Sequence, residues 1–283
     1  MALTKLPETF SISPLSTKLT AAVTKLPTQD HRILLQKRKW LRTFSVLAPR
    51  DLTRNGVPNP ADATLVFAQE EAGTAVCISP HGVLLTCSHC VAESAKDLDW
   101  AKVYWLLFAS GEVVAARTVA WDGRRDLAAL VIVGATGGTA QASFPFMRRS
   151  PTAPKTQTRL LCVGHPGSED LEASIPGVQT NYDTLVLSTG IFRGLASGQD
   201  PQDNSEIGAL MHTCWTYWGH SGAPLVDRKT GALVGLHSSW DDETGMRRGV
   251  AWEALNEFLE PLNAFLESLE KKTKAAATTK TVS

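Results

Sequence analysis

Three polar residues stand where chemistry could be done. His89 closes an apolar run in GVLLTCSHCVAE, Asp126 immediately precedes the run LAALVIV in WDGRRDLAALVI, and Ser221 lies between Gly219 and Gly222 in YWGHSGAPLVD. A hydroxyl, an imidazole and a carboxylate brought to one place are the parts of nucleophilic acyl transfer. The imidazole takes the hydroxyl proton, the carboxylate orients the imidazole, and nearby N–H groups hold the developing oxyanion. Each segment also has a plain structural reading, since histidines end strands, aspartates precede apolar runs and serines sit among glycines in ordinary turns. Cys87, His89 and Cys90 have the spacing of a metal or redox pair. No second ligand pair follows at zinc-finger distance and the context is not βαβ, so neither a metal nor a redox motif is read there.

The elements that must position these residues are short and β-type. From Ala63 onward TLVFAQ, GTAVCIS, GVLLTCS, KVYWLLF, EVVAARTVAW and LAALVIV, then RLLCVGHP, TLVLSTGIF, APLVD and LVGLHSSW, alternate with Gly, Pro and Asp. Strands at this spacing predict an all-β sandwich or barrel. The stretch from Gly134 to Pro154 has little periodicity and much Gly, Ser and Pro, and is expected to link two halves, residues 61–137 and 155–250. Residues 1–60 read as an N-terminal extension around one amphipathic helix from His31 to Phe44, whose Arg and Lys residues are expected to face away from Ile33, Leu34 and Trp40. After Gly249, the spacing of Trp252, Leu255, Phe258 and Leu259, then of Leu262, Phe265 and Leu266, predicts a closing helix over 251–265, bent or restarted at Pro261. Residues 266–283 have no apolar face and are expected to be a mobile tail.

Composition excludes several classes. With 28 basic and 28 acidic residues, no field of one sign draws nucleic acid to the surface. No apolar run approaches the roughly 20 residues that span a bilayer, so a membrane partner is not expected. Met1 to Asp30 is broken by Pro7, Pro14 and Pro27 and lacks the apolar core of a secretory signal. Its Ser/Thr content and few acids leave organelle targeting as an alternative. Five cysteines cannot all pair within one chain, and most lie in apolar runs, which points to a reducing, intracellular and cytoplasmic setting.

The three chemical segments, in the order His, Asp, Ser, resemble the TAAHC, DIAL and GDSGGP motifs of trypsin-like serine proteases. LLCVGHPG and LVLSTGIFRGL are similar to strands of the Deg/Htr branch of that family, and the resemblance spans roughly residues 63–265. It implies two packed six-stranded antiparallel β-barrels with a C-terminal helix and no PDZ domain. His89 and Asp126 would sit on the first barrel and Ser221 on the second, as a catalytic triad. The N–H groups of Gly219 and Ser221 would form the oxyanion hole. Protein or peptide would be the substrate, with no cofactor. The chain departs from the family at His220, where digestive enzymes carry the Asp that pairs with a newly cut N-terminus, so activation by such cleavage is not expected. Cys90 lacks its usual disulfide partner and is read as a free thiol.

The resemblance also places the pocket for P1, the residue before the cleaved bond, at Trp215, Thr216, His237, Ser238 and Ser239. Glutamyl endopeptidases and picornaviral main proteases carry a histidine and a threonine at the positions of His237 and Thr216. Imidazole plus hydroxyl suits a P1 Glu or Gln. The alternative is that His237 is a hydrogen-bonded core residue and Trp215 fills the pocket, leaving small apolar P1 residues. Two rival functions remain open at this point: an inactive domain that binds peptides, and a latent protease ordered by a partner.

Overall fold

In the computed structural model, residues 1–3, 12–54, 56–69, 73–137 and 143–263 are described. Two short segments open the order, β1 (Ala2–Leu3) and β2 (Ser13–Pro14), followed by helices α1 (Ala21–Thr24), α2 (Thr28–Thr43) and α3 (Arg50–Arg54). The first barrel comprises β3 (Thr64–Phe67), β4 (Thr74–Cys77), β5 (Val83–Thr86), β6 (Tyr104–Phe108), β7 (Val113–Asp122) and β8 (Leu127–Ala135). It closes through the β7 and β8 pairing, with β1 added to β7 and β2 to β8. The second is a closed barrel of β9 (Arg159–Gly164), β10 (Val186–Leu195), β11 (Leu210–His212), β12 (Pro224–Asp227), β13 (Leu233–Trp240) and β14 (Arg247–Val250). These are two six-stranded antiparallel barrels followed by helix α4 (residues 252–263).

Strand periodicity explains why the first barrel needs α2. Leu65, Phe67, Leu106 and Phe108 point into the barrel core, while Val66, Trp105, Leu107 and Val113 point outward and pack with Leu34 and Leu41 of α2. Both faces are thus apolar, and the strands read as unbroken apolar runs. The basic residues of α2 do not all face water as the helical pattern predicts. Lys37 and Arg38 are buried: the Lys37 ammonium donates to the carbonyls of Phe67 (3.0 Å) and Gln69 (3.2 Å), and Arg38 donates to Thr17 O (2.9 Å). Their stems cover apolar surface while the Lys37 head satisfies carbonyls at the end of β3 and the Arg38 head one ahead of α1.

The connection between barrels is pinned at several points. Phe144 N–H donates to Pro80 O, Met147 N–H to Cys77 O and Ser150 N–H to Leu233 O, and both Phe144 and Met147 are buried. Helix α4 continues past Pro261 to residue 263. Phe265, Leu266 and the expected mobile tail lie outside the described residues. No helix among the described residues is long and apolar enough to cross a membrane.

One core joins the halves. Val76, Leu85 and Leu127 of the first barrel, Leu161, Val226 and Leu236 of the second, and Leu255, Phe258 and Leu262 of α4 share a single buried cluster. Phe258→Ala is therefore expected to lower stability by about 3–5 kcal/mol while leaving one cooperative transition. Urea unfolding followed by fluorescence and circular dichroism together checks this; two separated transitions would show that the barrels do not share their core energetically.

Candidate active site

The Asp126 carboxylate is placed by the turn between β7 and β8. Asp122 Oδ1 accepts from the N–H groups of Arg124 (3.1 Å) and Arg125 (3.2 Å), and the Arg125 guanidinium returns to Asp122 Oδ2 (2.8 Å). That closed turn holds Asp126 at φ 51°, in the left-handed region that aspartate tolerates better than most residues. Asp126 is buried, and its Oδ1 accepts from Ser88 Oγ (2.9 Å), His89 N–H (3.3 Å) and His89 Nδ1 (2.9 Å). An ionised carboxylate only accepts, so Nδ1 carries the proton in the neutral imidazole and Nε2 is left with a lone pair. His89 sits on the short 3-10 turn Ser88–Cys90, anchored by the Trp121 indole donating to Ser88 O (3.1 Å). The imidazole is 45% exposed beside a carboxylate that is 7% exposed. Burial lowers the His89 pKa, but the charge of Asp126 and its hydrogen bond outweigh that, and the value is raised above 6.5.

Ser221 comes from the loop between β11 and β12. Gly219 (φ 91°) and Gly222 (φ 83°) have left-handed dihedrals. A Cβ at Gly219 would meet His165 O at 2.6 Å, and one at Gly222 would run into the Thr74 carbonyl and the Thr86 hydroxyl. The carbonyl of Trp218 accepts from Gly167 N–H (2.6 Å), and that of His220 from Ala223 N–H (2.8 Å). In a trans peptide the C=O and N–H point opposite ways, so the N–H groups of Gly219 and Ser221 turn away from those partners. Neither N–H has an acceptor among the described residues.

The loop is fixed to the first barrel by Thr74. Its N–H donates to Ser221 O (2.8 Å), and its hydroxyl donates to Gly219 O (2.9 Å) while accepting from His165 N–H (3.0 Å). The Cys90 thiol lies 3.5 Å from Ser221 O, so the residue next to His89 touches the residue that carries the hydroxyl. Ser221 Oγ donates to Ser238 O (3.2 Å) and is not hydrogen-bonded to His89.

Three of the residues placed in the P1 pocket by sequence, Ser239, Ser238 and His237, are consecutive on β13, and His220 of the Ser221 loop packs edge to face on His237. The Nδ1 of His237 lies 3.0 Å from Nε2 of His212, a partner that sequence reading missed. Thr216, His237 and Ser238 are buried, Ser239 is half-buried, and Trp215 is 38% exposed. Trp215 packs edge to face against Tyr182 and His220, while the exposed Trp218 meets Trp240 with ring centroids 4.8 Å apart. Burial holds His212 and His220 down at about 3 and His237 well below 6.5, with the charge of Arg247 adding to the effect in each case. Ser88, Thr74 and Arg247 were also not singled out in the sequence. Ser88 is the one whose place beside His89 could have flagged it.

Cys87, His89 and Asp126 offer ligand atoms within 4.8 Å of one another. The group fits a metal poorly, because burial pushes the Cys87 thiol far up and the His89 Nδ1 is already committed to Asp126. Because Asp126 holds the imidazole pKa up, the stability gained from the pair is full below 6.5 and is lost as pH rises through the higher folded value. Asp126→Asn leaves mainly the burial effect, so the His89 pKa is expected to fall below 6.5. An NMR titration of the His89 Cε1 proton in both proteins checks this, and an unchanged midpoint would rule out the coupling.

Comparison with known proteins agrees with this architecture. A search of curated protein sequences finds no match. Among solved structures, an inactive serine-to-alanine mutant form of Rv3671c from M. tuberculosis H37Rv superposes with a TM-score of 0.53 at 16% identity, covering 78% of this chain and 96% of that one. The serine endoprotease from Yersinia pestis superposes at 0.52 and 18% identity, covering 77% and 68%. At these identities the likeness is one of fold. The family model described as a trypsin-like peptidase domain matches residues 73–236, more than half of the sequence, and the chain belongs to the trypsin-like peptidase family.

Proposed function

We propose that this protein is a serine endopeptidase in which Ser221 is the nucleophile, His89 the general base and Asp126 the residue that orients the imidazole. The observation that carries this reading is the 2.9 Å pair between His89 Nδ1 and Asp126, which leaves Nε2 with a lone pair to take a proton. Ser221 Oγ attacks the peptide carbonyl carbon as His89 Nε2 takes its proton, and the oxyanion is held by the N–H groups of Gly219 and Ser221. Collapse breaks the C–N bond, the proton passes from His89 to the leaving amine, and water hydrolyses the acyl-enzyme by the same steps reversed. Trp215, Thr216, His237, Ser238 and Ser239 form the P1 pocket, for Glu or Gln. No cofactor takes part. The five cysteines are all buried and unpaired, which supports a reducing compartment.

One observation favours a second reading, that of a latent protease. The Ser221 hydroxyl is donated to Ser238 O, so a side-chain rotation must precede attack. Such bonds are often made only in the substrate complex, and binding of peptide in the cleft would then complete the site. The test is labelling by a fluorophosphonate probe with and without peptide ligand. The native protein is expected to label, and Ser221→Ala and His89→Ala to lose at least ~100-fold of the rate. Labelling only with peptide supports the latent form, and none in either condition overturns both.

The pH dependence follows from the same pair. His89 must be neutral to accept the proton and its pKa is raised, so the acid limb of the labelling rate is expected to have its midpoint above pH 6.5. A midpoint below that value would assign the base to another group.

A further inference from the structure

Beneath the Ser221 loop lies a cluster that the triad does not use. Thr216 Oγ1, Arg247 Nε, His212 Nδ1 and His220 Nε2 are all buried side-chain polar atoms without a hydrogen-bond partner among the described residues. Strand register explains their meeting. Arg247 of β14 stands opposite His212 of β11 and opposite Trp240 of β13, and Gly249, two residues along β14, stands opposite His237. Directly opposed residues of antiparallel strands share a face, as do residues two apart. His212, His237, Trp240 and Arg247 therefore share one face of the second barrel.

The guanidinium on this face is incompletely used. Arg247 Nη1 donates to Gly245 O (3.0 Å), Nη2 reaches Thr216 O only at 3.5 Å, and the guanidinium lies over the Trp240 ring, 5.8 Å from its centroid. Arg247 has no carboxylate partner among the described residues, although its neighbour Arg248 faces Asp241 at 3.8 Å. A cavity of about 350 Å³ runs alongside, lined in part by His212, Trp215 and Arg247. The three imidazoles are held neutral, so the guanidinium is the charge of this face at neutral pH.

We infer that Arg247 is the specificity-determining residue of the P1 pocket and selects an acidic side chain, Glu or Asp, over its neutral amide. This rests on the reading of the Ser221 loop as the protease site. Leaving a buried polar atom without a partner is unfavourable, and a carboxylate in the pocket supplies the missing acceptors. The Nε and Nη2 edge of a guanidinium is a two-donor fork that fits two carboxylate oxygens. The Thr216 hydroxyl donates as well. In the His212–His237 pair one ring donates to the other. A carboxylate selects the arrangement in which His212 donates, because that leaves His237 with a proton on Nε2. An amide has one acceptor oxygen, and its NH₂ would face donors with donors. A basic P1 side chain would meet like charge.

The test uses the full chain and internally quenched peptides that differ only at P1: Glu, Asp, Gln, Leu and Lys. The better of Glu and Asp is expected to exceed Gln in kcat/KM by roughly 10- to 100-fold, the range for a hydrogen-bonded charge, with Lys the poorest. Arg247→Gln should bring the acid-to-amide ratio toward one, and Arg247→Lys should keep part of it. Because the ratio is measured within one preparation, a reduced folded fraction cancels. In parallel, calorimetry on Ser221→Ala with peptides ending in Glu or Gln reads the same preference without turnover. Cleavage or binding of Gln equal to that of Glu, or a ratio unmoved in Arg247→Gln, overturns the role of Arg247 and leaves the protease reading intact. Preferential binding of the Glu peptide without cleavage by the native protein does the reverse. Neither cleavage nor binding overturns both.

Discussion

Thr74 is the interaction on which the arrangement depends. It belongs to β4 of the first barrel, yet its backbone N–H and its hydroxyl hold the carbonyls of Ser221 and Gly219 in a loop of the second. The hydroxyl is polarised further by accepting from His165 N–H. The peptides of those two carbonyls donate on their other side, His220 N–H to Tyr217 O and Gly222 N–H to His237 O, so the backbone is held on both sides of Ser221. The contact is close enough to demand glycine in two places. A Cβ at Gly73 would meet Ser221 O at 2.6 Å, and one at Gly222 would collide with Thr74 itself. Backbone meets backbone there, and any side chain would push the two barrels apart.

The His89 and Asp126 pair is positioned by a different device, wholly within the first barrel. Asp122 closes the turn, Ser88 and His89 share the Asp126 carboxylate oxygen, and the Trp121 indole anchors the 3-10 turn. The two devices meet at Cys90, which follows His89 and lies against Ser221 O. This division explains the role of the shared core under α4. If the barrels shifted by an ångström, both halves of the proposed site would stay intact and still fail to engage. Leu255 and Phe258 pack against residues of both barrels and oppose that shift.

The second barrel shows how a pocket acquires chemistry from strands that look unremarkable. The face bearing His237 is completed by β11, three residues long, and by β14, four residues long. Neither has the apolar run that marks a strand in sequence. β14 reads Arg-Arg-Gly-Val and β11 Leu-Met-His. Their β structure comes from pairing with each other and with β10 and β13. That pairing sets Arg247 beside Trp240 and His212 beside His237.

By itself, the sequence determined the alternation of apolar strands, the helix α2 to within a few residues, and the three chemical segments in their order. Each of these is local: periodicity, turn residues and glycine spacing are written in neighbouring positions. The tertiary structure decided what depends on approach between distant segments. It attached β1 and β2 to the first barrel and buried Lys37 and Arg38, whose charged heads find carbonyls that no helical pattern reveals. It also set Ser221 Oγ on Ser238 O, joined Thr74 to a loop some 145 residues away, and placed Arg247 among three histidines. Hydrogen bonds and charges act over a few ångströms of space whatever the distance along the chain, so only the folded barrels could show which residues they join.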